Sequence, residues 1–417
     1  FPPKEVGTAE GIYGGWGNFG SAFSAFTMVL VGLFLAFLPG AFQFGEPQTF
    51  RILLFPALDT AILNWRAAIA FTGIVAALYG VFYYFNASDT PPGKVYQRPK
   101  STRGIEVTGV KDFWLLMVMN IPLSGILMVL AWRLQKVGFL NVTQMWIAIV
   151  ALFGLYAFQS YNCWAVNKDL LNGTKRYAAE DRYDFKQVAI LELTYIVNFG
   201  SELAVVTMLP LFFIQTFVDG NGDALLDPAT AGMIAASYAF MNLMSRPGGG
   251  IISDTLGSRK WTMVVLTGGM GLGYMLMSQV NGNWWIPAAV ILTMACSFFV
   301  QASEGSTFAI VPLVKRRVTG QIAGNVGAYG NVGAVAYLNT LAILTASSEA
   351  ANGGTADFST VYATFFQVLG ITGLIVAFLC VFFLDEPKGS FADFHEGEAE
   401  VDDPMSTAPA AAISDLN

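Results

Sequence analysis

Ten predominantly apolar stretches of about 20 residues or more run through this chain, at roughly 9–38, 66–85, 112–132, 144–165, 188–217, 229–252, 261–279, 284–312, 319–345 and 358–384. A helix needs about 20 such residues to cross a bilayer, because each residue rises about 1.5 Å through a hydrocarbon layer about 30 Å thick. A membrane barrel would instead give short alternating segments. The expected fold is therefore an all-α membrane protein with about ten visible transmembrane helices. Composition agrees: 12% of the 417 residues are charged, against about 25% in soluble domains, too few to coat soluble domains of that length.

Basic residues orient the helices, since cytoplasmic connections are enriched in Lys and Arg. With Lys4 inside, alternate crossings place Lys94, Arg98, Lys100, Arg103, Lys111, Lys168, Lys175, Arg176, Arg182, Lys186, Arg259, Lys260, Lys315, Arg316, Arg317 and Lys388 on the same side, 17 of 22 bases. Arg51, Arg66, Arg133 and Lys136 fall outside, and Arg246 lies within an apolar run. Both visible chain ends are thus expected in the cytoplasm of a multi-pass protein of the cell (plasma or inner) membrane. The chain starts at Phe1 without a signal-peptide pattern, and its natural beginning is expected to lie upstream.

The formal charge of −7 is a property of the tail. From Asp385 onward nine acids face one base, a net −8, which leaves the body at +1. This segment is poor in large apolar residues and reads as disordered and solvated. Cys163, Cys296 and Cys380 each sit in an apolar run, and the only histidine, His395, is in the tail. No disulfide framework, metal site or cofactor is expected.

Sliding the chain against itself by 313 positions aligns 4–20 with 317–333 without a gap. Six positions are identical: Gly7/Gly320, Gly11/Gly324, Gly14/Gly327, Gly17/Gly330, Asn18/Asn331 and Gly20/Gly333. On a helix, positions 7, 11, 14 and 18 share one face, so each copy offers a groove free of side chains that ends in an amide. Close helix packing explains the glycines. The asparagines ask for more, since buried amides in lipid need partners and mark pathways, and duplicated helices are how many transporters build a midplane site.

Ionisable residues inside the runs are few. Tyr238, Asn242 and Arg246 follow i, i+4, i+8 spacing, and a buried arginine there needs either an anion or a structural carboxylate. Glu192, Tyr195, Phe199 and Glu202 form one stripe, with two acids flanking two aromatics. Glu304 is the third membrane acid, either a proton site or the partner of Arg246.

The segment Gly250, Asp254, Gly257, Arg259 and Lys260 has the spacing G-x-x-x-D-x-x-G-x-R-K at an inside helix–helix turn. It resembles the inter-helix loop motif of the major facilitator superfamily, and a gating role is assigned to it. Within that superfamily the chain resembles the nitrate/nitrite porters. The resemblance rests on Gly17-Asn18-Phe19-Gly20 and Gly330-Asn331-Val332-Gly333, similar to the family's two nitrate-signature segments in its fifth and eleventh helices. It rests also on Phe199-Gly200-Ser201-Glu202-Leu203, Ser245-Arg246-Pro247-Gly248-Gly249 and Gln301-Ala302-Ser303-Glu304-Gly305 with Ile310-Val311-Pro312.

The resemblance implies a major facilitator helical bundle in which Arg246 binds nitrate, Tyr195 and Phe199 line the site, and Asn18 and Asn331 flank it with Gly14 and Gly327. It also implies that four helices of the family precede the first segment here and that 112–132 and 144–165 are an inserted pair, fourteen helices in the complete protein. The expected domains are 1–85, the last two helices of an N-terminal half; 86–187, a cytoplasmic linker and the inserted pair; 188–384, a C-terminal six-helix half; and 385–417, the tail.

Nitrate and nitrite are small planar anions, and a forked guanidinium can hold two of their oxygens at once where an ammonium offers a point charge. Anion entry against an inside-negative potential costs about 2.3 kcal/mol per charge per 100 mV, so uptake needs a coupled cation or an exchanged anion. Glu202 and Glu304 are the proton-coupling candidates for a symporter, expected to be monomeric. Nitrate/nitrite exchange, or carriage of another small anion or peptide, stays open. A membrane enzyme would need acidic metal-diphosphate clusters, which do not appear. The glycine run Gly268–Gly273 lies in an apolar span without a preceding strand, so neither nucleotide nor nucleic acid binding is expected.

Overall fold

The computed structural model describes residues 3–35, 48–50, 61–88 and 104–387. The expectations for the acidic tail from Lys388 onward, including His395, and for Arg51, Lys94, Arg98, Lys100 and Arg103 lie outside the described residues.

Among the described residues, each of the ten apolar runs forms helix. In chain order the helices are α1 (Val6–Leu35), α2 (Trp65–Asn86), α3 (Val110–Lys136), α4 (Val142–Leu171), α5 (Phe185–Val197), α6 (Phe199–Thr216), α7 (Pro228–Phe240), α8 (Asn242–Thr255), α9 (Arg259–Met277), α10 (Ile286–Val314), α11 (Thr319–Ala351) and α12 (Phe358–Phe383). Two short strands, β1 (Gln48–Phe50) and β2 (Ala61–Leu63), pair antiparallel between α1 and α2. Starts are set by local chemistry. The Asn141 side chain accepts from the Gln144 amide while the Gln144 side chain accepts from the Asn141 amide, and Asp227 accepts from the Ala229 and Thr230 amides ahead of Pro228.

Two runs read as single helices from the sequence are each interrupted by one residue. Asn198 separates α5 from α6, its side chain accepting from the Phe199 amide at 2.6 Å and donating to Thr307 Oγ1 at 3.1 Å. Met241 separates α7 from α8. Among the described residues, six helical stretches are long and apolar enough to cross a membrane: Trp65–Asn86, Val110–Lys136, Val142–Leu171, Phe185–Thr216, Ile286–Val314 and Phe358–Phe383. The remaining four runs are α1, α7 with α8, α9 and α11, and three of the four border the polar site described below.

The main apolar cluster of the core runs from α3 to α12, with a small second one where Met233 on α7 meets Leu33 on α1. Glycines allow backbones to close on one another. A methyl added at Gly249 on α8 would stand 1.9 Å from Ala302 O on α10, and one at Gly333 on α11 would stand 2.2 Å from Ile196 O on α5. Such contacts let dispersion accumulate where lipid removes the hydrophobic drive between helices. By contrast α2 rests mainly on α1 and is apolar and exposed on nearly every face.

The helices α3 and α4 are tied to the later helices by polar contacts. Arg133 on α3 donates to Ala342 O on α11 at 2.9 Å. Glu106, just ahead of α3, accepts from Lys175 and Tyr177 beyond α4 and from Arg317 ahead of α11. Partial burial pushes its carboxyl up, but these donors outweigh it and hold it down at about 2. A group depressed in the folded state stabilises fully above its unfolded value of 4.5 and loses that contribution as the pH falls toward 2. Glu106→Gln is thus expected to lower thermal stability in detergent at pH 7 by about 1 kcal/mol or less, since Lys175 and Arg317 are solvent-exposed. The gap to the parent should persist down to about pH 4.5 and narrow below it; a gap that grows on acidification would contradict the assignment.

Candidate functional site

The C-terminal halves of the α5 stripe and the start of α8 meet α10 around a buried arginine. Arg246 is 6% exposed and Glu304 0%. Arg246 Nη1 donates to Glu304 Oε2 at 2.7 Å and Nη2 donates to the Tyr195 hydroxyl at 3.0 Å. Tyr195 stacks on Phe199 with ring centroids 5.0 Å apart and 13° between planes, and the guanidinium lies 5.8 Å from the Phe199 ring centroid, a cation–π contact.

The arginine backbone is gripped from two sides by glycines. A methyl at Gly305 on α10 would stand 2.1 Å from Arg246 O, and one at Gly11 on α1 would stand 2.7 Å from the same atom. Pro247 follows immediately and packs against Gly15. The guanidinium itself lies over Gly14, where a methyl would stand 2.5 Å from Nε. Arg246 Nε and Glu304 Oε1 are both buried without a hydrogen-bond partner among the described residues. Buried polar atoms are almost always paired, and this edge of the guanidinium has a donor to spare.

Glu202 on α6 stands beside this pair, within electrostatic reach of Glu304 and Arg246. Its Oε1 accepts from Asn242 and from Gln301 Nε2 at 3.3 Å, and its Oε2 accepts from Asn18 Nδ2 at 3.5 Å. Two carboxylates and one guanidinium in a water-poor site carry net −1 when all are ionised, which opposes an anion. One proton between them makes the site neutral, and a second leaves it +1.

A second constellation closes one end of α1. Asp254 Oδ1 accepts from the Gly7 amide at 3.1 Å, and Oδ2 accepts from the Thr8 amide at 2.6 Å and the Thr8 hydroxyl at 2.8 Å. The acid therefore caps the N-terminus of a helix 246 positions away in sequence. Arg259 Nη1 pairs with Asp254 Oδ1 at 2.6 Å, and its Nη2 donates to Pro3 O at 2.7 Å. Gly250 touches Gly7 so closely that a methyl would stand 2.0 Å from Gly7 O, and Gly257 turns the chain with φ of 75°. Glu386 caps α9 in turn, accepting from the Arg259 and Lys260 amides.

The residues singled out in the sequence thus fall into place unevenly. Arg246, Tyr195, Phe199, Glu202, Glu304, Asn18 and Gly14 converge. Asp254, Gly250 and Arg259 join in the separate contact. The two copies of the repeat are not equivalent: Gly7, Gly11 and Gly14 press on α8, whereas nothing lies within 4 Å of a methyl placed at Gly320, Gly324 or Gly327. In the second copy Gly330 and Gly333 do the packing, Gly330 receiving the Tyr195 and Phe199 rings. Asn331 is exposed among the described residues. Gln301 and Asn242 were not assigned to the site from sequence, although i, i+3 spacing puts Gln301 on the Glu304 face and i, i+4 spacing puts Asn242 on that of Arg246. A crevice of about 670 Å³ lies away from this cluster, between Lys175, Arg182, Gln187 and Pro387 at the helix ends.

This geometry, a glycine-seated arginine among broken membrane helices, fits the comparisons with known proteins. The Major Facilitator Superfamily model matches residues 191–414. The chain is 76% identical over 401 residues to "Nitrate/nitrite transporter NrtP" of Picosynechococcus sp., covering 96% of this chain and 74% of that protein. It is 47% identical to the protein of the same name from Nostoc punctiforme, covering 96% and 72%. It is 28% identical to "High-affinity nitrate transporter 2.3" of Oryza sativa, covering 80% and 48%. The chain belongs to the nitrate/nitrite porter family of the major facilitator superfamily and is a multi-pass membrane protein.

The seat of the guanidinium can be probed directly. Gly14→Ala is expected to push Arg246 off Glu304, and unpairing a buried carboxylate costs about 3–5 kcal/mol. Thermal unfolding in detergent should fall accordingly, while Gly327→Ala, with open space around it, should leave it unchanged. Equal effects of the two substitutions would contradict the asymmetry.

Proposed function

We propose that the chain carries nitrate, and nitrite, into the cell by alternating access coupled to protons. The observation that carries this reading is the unpartnered Nε of a buried Arg246 over Gly14. The Nε and Nη2 donors form one edge of the fork, to which a planar oxyanion can present two oxygens. Glycine at position 14 leaves that edge clear, Phe199 and Tyr195 bound the space on one side, and Asn18 stands at its rim through Glu202. The relatives named for nitrate and nitrite transport support the substrate.

Proton coupling rests on charge balance. With one proton shared between Glu304 and Glu202 the site is neutral, the anion adds −1, and a second proton on the pair restores neutrality as it binds. The unpartnered Glu304 Oε1 is the natural acceptor of that proton. The anion then takes over part of the guanidinium that Glu304 held. Asp254, Gly250, Gly257 and Arg259 form the cytoplasmic gate in this account, holding α1 against α8 and parting when the two halves rock.

The architecture that accompanies this reading has ten crossings with both described ends cytoplasmic. Residues 1–85 belong to an N-terminal half, 86–187 to a linker and inserted pair, and 188–384 to a C-terminal half, in a monomer of the cell membrane. Gly327 and Asn331 on α11 line the opposite wall of the pathway, where open space faces them.

Arg246→Lys in the full-length protein is expected to weaken nitrate binding at least 100-fold, since an ammonium cannot hold two oxygens from a fixed edge. Near-parent affinity would remove the bidentate role. Glu202→Gln with Glu304→Gln is expected to abolish uphill, pH-dependent uptake of isotopically labelled nitrate in reconstituted vesicles. Unchanged uptake would refute the coupling, and full competition by dipeptides would favour a peptide carrier.

A further inference from the structure

One buried carboxylate has no part in the site described above. Glu192 on α5 is 0% exposed, lies one helical turn before Tyr195, and accepts from Asn325 on α11 through Oε1. Its Oε2 has no hydrogen-bond partner among the described residues, and neither does the buried hydroxyl of Tyr329, which stands within electrostatic reach of it. Tyr329 is the titratable group that faces Glu192. From α12 the nearest ionisable group is Cys380, which meets Thr194 rather than the acid, and no Lys, Arg, Asp or Glu of α3, α6 or α10 contributes at Glu192 among the described residues.

An ionised carboxylate held by a single amide, without a cation, is costly at membrane depth. Such a group persists when it works as a carrier of protons, and neighbouring residues lay out a path for it. Gln321, Asn325 and Tyr329 recur at i, i+4 and i+8 on α11, a polar column on one helix face. It starts near the α11 N-terminus, where Gln321 donates to Gly104 O at 3.1 Å, and ends beside Glu192. At 1.5 Å per residue Glu192 is about 10 Å into α5 and Asn325 about 9 Å into α11, on the side of Arg246 nearer the basic connections.

We propose that Glu192 is a second proton-carrying carboxylate of the transport cycle, exchanging its proton with cytoplasmic water past Asn325 and Gln321, with Tyr329 one turn deeper. In the exchange the carboxyl O–H bond breaks and water accepts the proton; no oxidation or reduction is involved. Asn325 holds the carboxyl, Tyr329 stands within electrostatic reach and biases its proton affinity, and Glu192 touches no substrate. Its link to the anion site is mechanical, through the single turn of α5 that separates it from the Tyr195 hydroxyl on Arg246. The inference rests on the proton-coupled reading of the same protein.

The test uses the full-length protein in vesicles, with labelled nitrate and an internal pH dye read together. Glu192→Gln is expected to keep nitrate counterflow at equal nitrate on both sides, while the protons entering per nitrate fall by one and uphill accumulation drops at least 10-fold. Tyr329→Phe, which removes a single oxygen, is expected to move the pH of half-maximal uptake and leave counterflow intact. Parent-like proton entry in Glu192→Gln, or an unmoved pH profile in Tyr329→Phe, overturns the role of Glu192. Loss of counterflow in a correctly folded Glu192→Gln overturns it too, because it would place the acid in substrate binding. A parent protein that moves no protons with nitrate overturns the coupled reading as a whole, a distinguishable result.

Discussion

The burial of Arg246 governs the arrangement of the helices around it. A guanidinium taken out of water must be paired and hydrogen-bonded, or it destabilises the fold that buries it. Here Glu304 and Tyr195 supply the partners, and the sequence supplies room for them by deleting side chains at Gly11, Gly14 and Gly305. The glycines are therefore part of the electrostatics. Without them α1 and α10 could not close on α8, the site would admit water, and the field of the charge would weaken.

The same contact unites structure and transport. The site is shared between strongly apolar helices, α5 with α6 and α10, and the glycine-rich α1 and α8. α8 is pinned at its start by Arg246 and at its end by Asp254, which caps α1 and pairs with Arg259. The two contacts stand about two turns apart on one helix, with Pro247 inside it. In the proposed transport cycle this connection lets binding at the arginine loosen the closure of α1 against α8.

Much of this is legible in the sequence because hydrophobic length is a local property. The ten runs follow from it, and Arg246, Glu202, Glu304, Tyr195 and Phe199 stand out as polar or aromatic residues at shared helical spacing in apolar surroundings. The pairing of Arg246 was not legible, since anion and carboxylate satisfy an arginine equally well until Glu304, 58 positions on, is seen at 2.7 Å. The breaks at Asn198 and Met241 were missed because neither is a glycine or proline. The repeat misled by its symmetry: identical glycines at 7, 11, 14 and at 320, 324, 327 meet different neighbours, and what a glycine does depends on the helix opposite. The Glu106–Arg317 tie spans 211 positions and has no local mark.

The central claim is that an anion takes up the free edge of Arg246 and that a neighbouring carboxyl gains a proton as it does. Nitrate titrations of the full-length protein by calorimetry at pH 7, in two buffers of different ionisation enthalpy, measure that proton directly. The account predicts about one proton taken up per nitrate bound in the parent protein, and none in a Glu202→Gln, Glu304→Gln double variant that still binds. Nitrate binding by the parent with no buffer dependence of the heat would contradict it.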